Sequence, residues 1–221
     1  MFLVVVLALA ACGSNPEPPA TPSPASTSPA EAPTYAASGC PVADEAFCET
    51  AVQVIGALQA GDADRIFELS REDRLVCAEV ATEYFPGCET ADVLEGHGLS
   101  GPDFTVEVVD EAVYRARLEE VLGGLDASFD DELGGGDVRV VGVGTCGPDI
   151  PGRRTYHLAW TAGSSEDGSA PERILGSFEL TFEDDWRIAL WYLGPLEEWE
   201  VEQPDPLELA FCEAGLTPWL A

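Results

Sequence analysis

The stretch Arg173-Ile-Leu-Gly-Ser-Phe-Glu-Leu-Thr-Phe-Glu-Asp-Asp-Trp-Arg-Ile-Ala-Leu-Trp-Tyr-Leu193 decides how the rest of the chain is read. Large apolar residues return at every second position: Ile174, Phe178, Leu180 and Phe182 before the acidic break, and Trp186, Ile188, Leu190 and Tyr192 after it. Period two marks a strand with one buried face, and Asp184-Asp185 supplies the tight turn between two such strands, over 173–183 and 186–193. Moving toward the N-terminus, the same alternation predicts strands over about 137–145 and 154–162, the second with Tyr156, Leu158 and Trp160 on one side. Further upstream the period becomes helical. Phe47, Ala51, Val54, Ile55 and Leu58 form one stripe between Asp44 and Ala60, and Gly61 ends it. Asp62 opens a short second helix through Leu69, and Ser70 with Asp73 reads as an acidic capping box for a third helical segment reaching about Tyr84. Phe104–Val109 reads as a strand. Asp110 caps a further helix with Val113, Leu118, Val121 and Leu122 as its buried stripe. Helices followed by a meander make an α+β domain, with N-terminal helices packed on a curved antiparallel sheet.

Two segments add a resemblance. Ala57-Leu-Gln-Ala-Gly-Asp-Ala-Asp-Arg-Ile-Phe-Glu-Leu69 resembles the first helix turn of nuclear-transport-factor-2-like (ketosteroid-isomerase-like) domains. Phe178-Glu-Leu-Thr-Phe-Glu-Asp-Asp-Trp-Arg-Ile188 resembles their closing hairpin, and the element order agrees over roughly residues 42–193. The resemblance implies a cone-like fold with a pocket between helices and sheet, and in its isomerase branch a carboxylate on the sheet takes a proton. The sheet positions that would face such a pocket carry tyrosines and indoles but no Asp or Glu. Tyr156, Trp160, Phe178 and Tyr192 would line it from the sheet, with Tyr84 or Tyr114 facing them from the helices. A general base needs a carboxylate or imidazole within reach. Only helix-side residues such as Glu68, Glu72 or Asp73 offer one. The same aromatic set also suits a closed core.

The first residues belong to another layer of organisation. Phe2 to Ala11 is an unbroken apolar run, too short to cross about 30 Å of hydrocarbon but matched to a secretory leader. Leu9-Ala10-Ala11-Cys12-Gly13 then resembles the lipobox of bacterial lipoproteins, which implies cleavage before Cys12 and acylation of its thiol, palmitate included. No Lys or Arg precedes the run, a departure from the usual leader. Residues 13–38 hold seven Pro among Ser, Thr, Ala and Gly, the composition of an extended spacer. The organisation expected is therefore a leader over 1–11, a lipidated tether over 12–38, a globular domain over 39–194, and an acidic C-terminal tail over 195–221 docked on the domain.

Of the seven cysteines, Cys12 is taken by lipid, leaving Cys40, Cys48, Cys77, Cys88, Cys146 and Cys212. An even set in an exported chain reads as three disulfides, with Cys77–Cys88 the favoured local pair. Cys40–Cys48 would tie the domain entry to the first helix, and Cys146–Cys212 would pin the tail to the sheet. There is no C-x-x-C pair, neither histidine stands at ligand spacing, and the acidic loop from Asp126 to Asp137 misses the calcium-loop pattern, so no metal and no cofactor is expected. Gly142-Val-Gly-Thr-Cys-Gly147 has the letters of a dinucleotide loop but runs into Pro148 and another strand rather than a helix. His97, between two glycines, reads as a solvated loop residue, and His157 as a structural residue on the face of its strand away from Trp160.

The chain has 41 Asp and Glu against 10 basic residues, all Arg, for a net charge of −31. That excludes nucleic-acid binding through a basic patch and any polybasic hold on a membrane. The functional expectation is a lipoprotein on the extracytoplasmic face of a bacterial membrane. Its domain would bind an envelope protein or a small apolar ligand without catalysis. The alternative is an isomerase- or cyclase-like enzyme acting on a small apolar substrate in the cone.

Overall fold

A computed structural model describes residues 33–80, 84–100, 105–125, 137–145, 154–164, 172–195 and 215–221. The stretches expected to be a leader, a lipobox and most of a tether fall outside these residues, as do Cys146 and Cys212. The described elements are helices α1 (Glu45–Ala60), α2 (Ala63–Leu69) and α3 (Glu111–Gly124). The strands are β1 (Asp73–Val76), β2 (Val93–Ser100), β3 (Val106–Val109), β4 (Arg139–Gly144), β5 (Arg154–Ser164), β6 (Glu172–Phe182) and β7 (Trp186–Pro195). The strands form one open curved sheet in the order β1-β2-β7-β6-β5-β4, with β3 on β2. All pairings are antiparallel except β2 with β7, which run parallel. This is the α+β layout expected, with the helices on one face of the sheet.

Each helix starts where an aspartate can accept from the first free backbone amides. Asp44 accepts from the Phe47 N–H, Asp62 from Arg65 and Asp110 from Val113, at 3.0, 2.9 and 2.9 Å. Asp44 also receives the indole N–H of Trp186 at 3.3 Å and pairs with Arg154, so one carboxylate joins the start of α1 to β5 and β7. The α1 stripe is buried as read: Phe47, Ala51, Val54, Ile55 and Leu58 sit against the sheet.

Four local readings are corrected. The segment after Ser70 is not a third helix: Asp73–Val76 is a strand paired with Val93–Gly96, followed by a single 3-10 turn at Cys77–Glu79. Ser70 is not an N-cap. Its hydroxyl bonds the Ile66 carbonyl at 2.8 Å and lies 3.0 Å from the Tyr114 phenol oxygen, so it closes α2 instead. The stripe of α3 runs through Tyr114, Leu118 and Leu122, while Val113 is 44% exposed, because an i, i+4, i+8 row turns one residue further round.

His97 is no loop residue. It is the middle of β2, 3% exposed. Gly96 before it has φ 149° and lies so close to the Val109 carbonyl of β3 that a Cβ would strike it, so the glycines that looked like loop residues admit the neighbouring strand.

The fourth correction concerns β7. Between Glu179 and Leu180 of β6 the register against β7 shifts, and Ala189 is the extra residue of a bulge. Alternation therefore reverses along β7. Trp186 and Ile188 face the helices, then Trp191 does, opposite Phe178, while Leu190 and Tyr192 turn away opposite Glu179 and Ser177.

Disulfides join Cys40 to Cys48 and Cys77 to Cys88. Both are short-range. They hold the entry of the domain to α1, and the end of β1 to the turn at Pro86–Glu89. Two bridges fit an oxidising compartment. Among the described residues no helix is long and apolar enough to cross a membrane.

Candidate functional site

The residues expected to line a pocket are divided among four places. Tyr156, Trp160 and Phe178 share the helix-facing side of the sheet. Tyr156 packs 4.6 Å from Phe47 and 5.3 Å from Trp186, ring centre to ring centre. Trp160 and Phe178 stack at 6.0 Å, and Trp191 meets Phe178 from the other side at 6.0 Å, making an aromatic row across β5, β6 and β7. Tyr192 lies on the opposite face, and Tyr84 is 49% exposed. Tyr114 is buried beside β2 and belongs to a separate group.

The aromatic row is tight. Trp160 and Phe178 have no exposed surface, and the indole of Trp160 occupies the space where a Cβ on Gly176 would stand. The indole N–H groups of Trp160 and Trp191 are buried with no acceptor among the described residues. A buried donor left unpaired costs on the order of 1–3 kcal/mol, and an oxygen-bearing apolar molecule would relieve that cost.

Chemistry of a different kind gathers around Tyr114. Its ring stacks on the His97 imidazole at 4.5 Å and 22°, and Phe67 of α2 closes on both at 5.2 and 6.2 Å. The guanidinium of Arg115 lies 3.5 Å over the outer face of Phe67 and is held there by Asp64 and Glu111, at 2.8 and 2.9 Å. Burial lowers the His97 pKa, with the Glu72 carboxylate pulling upward less strongly, so its imidazole is neutral at pH 7. Burial pushes the Tyr114 phenol up to about 12 despite its hydrogen bond to Ser70, so it stays protonated. His97 Nδ1 has no partner among the described residues. This group therefore presents a neutral imidazole, a phenol and a hydroxyl, drawn from β2, α3 and the end of α2.

Sequence patterning missed His97 because Gly96 and Gly98 interrupt the alternation of β2. The one available signal was Val93, Glu95, His97 and Leu99 at period two. Trp191 was missed because the bulge at Ala189 lies between it and the residues that set the phase.

The three helix-side carboxylates considered as bases lie off the aromatic row. Glu68 is exposed and paired with Arg65, Asp73 is paired with Arg71, and Glu72 is exposed on the approach to His97. Among the described residues no group of His, Cys, Asp and Glu is disposed to hold a metal ion.

No protein-family model and no curated protein matches the sequence. Among solved structures the chain is similar to a protein named "Rd1NTF2_04 with long sheet", at 10% identity and TM-score 0.37, over 66% of this chain and 97% of that one. It is also similar to a "putative aromatic ring hydroxylase" of Novosphingobium aromaticivorans, at 14% identity and TM-score 0.39, over 71% and 92% of the two chains. A third is a nuclear transport factor 2 (NTF2-like) superfamily protein of Salmonella enterica serovar Typhimurium, at 9% identity and TM-score 0.35, over 66% and 86%.

Proposed function

We propose that the chain is a lipoprotein of the extracytoplasmic face of a bacterial membrane. Its nuclear-transport-factor-2-like domain holds an apolar ligand or an envelope partner rather than transforming a substrate. The observation that supports this most is chemical. The helix-facing side of β5, β6 and β7 presents Tyr156, Leu158, Trp160, Phe178, Leu180, Ile188 and Trp191, with no carboxylate among them. Such a surface has hydrogen-bond donors but no group that takes a proton. Incubating the full chain with neutral steroid-like and polyketide-like ketones should return each compound unchanged by mass spectrometry. Conversion of any of them, lost in a folded Glu72→Gln or Tyr114→Phe chain, overturns the proposal.

That control matters because a second reading has its own support. The neutral His97 imidazole stacked on Tyr114, with Ser70 at hydrogen-bond distance from the phenol, is what an isomerase- or cyclase-like reaction would draw on.

Anchoring is tested separately. The lipobox-like Leu9-Ala10-Ala11-Cys12 makes Cys12 the attachment point. Cys12→Ala is expected to move the protein from the detergent phase to the aqueous phase, or to leave the uncleaved precursor. Unchanged recovery with membranes would exclude lipid on this residue.

A further inference from the structure

Hydrogen bonding leaves the group around Tyr114 with lone pairs and no spare proton. The Ile66 carbonyl lies in the last turn of α2, where backbone amides run out. The Ser70 N–H turns to the Phe67 carbonyl at 3.0 Å, and the Ser70 hydroxyl takes the place it left, 2.8 Å from the Ile66 oxygen. A carbonyl only accepts, so the one hydroxyl proton of Ser70 is committed to it. The 3.0 Å contact between the Ser70 and Tyr114 oxygens then has a fixed direction: the phenol O–H donates and Ser70 Oγ accepts. The backbone that carries Ser70 is pinned to β7, where the Arg71 N–H reaches the Ile188 carbonyl at 3.0 Å.

His97 follows the same rule. A neutral imidazole has one N–H and one lone pair. The backbone of Arg71 hydrogen-bonds the ring in the sense that favours a proton there, so it takes the N–H. Nδ1, buried and without a partner among the described residues, is left as the lone pair. The imidazole is 3% exposed and lies between the rings of Tyr114 and Phe67.

Such a site takes a hydrogen-bond donor. A carbonyl or enolate oxygen would meet lone pairs on His97 and Tyr114 and no free proton. The surrounding charge decides between donors. Glu72 and Glu111 act on His97 in one direction and Arg115 in the other, and both carboxylates are exposed to screening water. An ammonium brought to Nδ1 would lose its hydration for little return, whereas a neutral hydroxyl loses far less. The ring walls suit an aromatic or alicyclic body. Phe67 closes the way in: it is half-buried, and its outer face carries the Arg115 guanidinium that Asp64 and Glu111 hold.

We propose that His97 Nδ1, walled by Tyr114 and Phe67, binds the hydroxyl of a neutral phenol or cyclic alcohol that enters past Phe67. The site is separate from the aromatic row and stands whether or not that row holds a ligand.

Three probes with one ring system test this on the full chain. 2-Naphthol offers a donor, 2-methoxynaphthalene a capped oxygen and 2-acetylnaphthalene a carbonyl. At pH 7 2-naphthol is expected to bind at least about tenfold more tightly than either of the others. His97→Phe keeps a ring against Tyr114 and removes Nδ1, and should abolish that preference with the circular dichroism unchanged. Phe67→Ala should speed the association of 2-naphthol; an unchanged rate overturns the role given to Phe67. Should His97→Phe not fold, nitrogen NMR of the native imidazole reads the same point. The chain has two histidines, so His157→Gln identifies the His97 signals. The free protein should carry the ring proton on Nε2, and 2-naphthol but not its methyl ether should shift Nδ1. A proton on Nδ1 overturns the proposal. So does the absence of any preference for 2-naphthol, a preference that survives His97→Phe, or binding that leaves Nδ1 unmoved.

Discussion

Trp160→Ala is expected to lower the unfolding free energy by about 3–5 kcal/mol and to weaken the whole domain as one cooperative unit. Trp160 has no exposed surface, stacks on Phe178, and covers the α-carbon of Gly176 in the strand beside it. Truncation removes a whole indole from the aromatic row beside Phe178, and the rigid strands on either side cannot close the gap. Gly176→Ala should also destabilise, by about 1–3 kcal/mol, because its methyl group needs the space the indole holds. The two changes share that space, so the alanine at 176 should cost measurably less once Trp160 is already alanine. Urea denaturation of the two single variants and the double variant checks all three values. A Trp160→Ala loss below about 1 kcal/mol, or strict additivity, would show that the row is not packed as described. The same measurement bears on the binding proposal, since a ligand-lining residue is expected to weaken binding more than folding.

The second large effect is on acid stability, and its sign follows from burial. His157 is buried on the outer face, and burial lowers its pKa from 6.5 to about 4. The Glu179 carboxylate, 3.8 Å from Nε2, pulls the other way, but removal from water outweighs it. Between those two pH values the unfolded chain binds a proton that the folded chain refuses. The stabilisation is fully present above about pH 6.5 and is lost as the pH falls toward 4. From pH 7 to pH 5 the loss from this one group is about 2 kcal/mol. His97, lowered by burial as well, adds in the same direction. Most carboxylates titrate below this window, so the two histidines dominate it. His157→Gln should flatten the dependence of the urea midpoint on pH between 7 and 5. An unchanged slope in that variant would assign the acid sensitivity elsewhere.

Much of the architecture was legible because it is written in period. Helix α1 and the hairpin of β6 and β7 each carry a long, one-sided apolar repeat, bounded by Asp44, Gly61 and Asp184-Asp185, and such signals depend on neighbours in the chain alone. The charge balance was equally plain, and it argued against nucleic-acid binding through a basic patch without reference to any contact.

Pairing partners were not legible, and each correction to the strands traces to one. Arg71 to Val76 has the residues of a helix; it is a strand because β2 lies beside it and the Cys77–Cys88 bridge holds the turn that follows. Strand β2 reads as a loop because Gly96 and Gly98 break its alternation, yet those glycines are what admit β3 and β7 at close range. The bulge at Ala189 exchanges Trp191 for Tyr192 on the inner face, and no periodicity within β7 announces it. The His97, Tyr114 and Ser70 group joins three elements across 44 positions of chain between Ser70 and Tyr114 alone. From the sequence by itself came the α+β layout, the two local disulfides Cys40–Cys48 and Cys77–Cys88, and the absence of a carboxylate among the apolar sheet positions, because composition and local period carry each of them. Which aromatic faces which, and which histidine is buried, were settled only by tertiary structure, since burial and strand register depend on residues far apart in the chain.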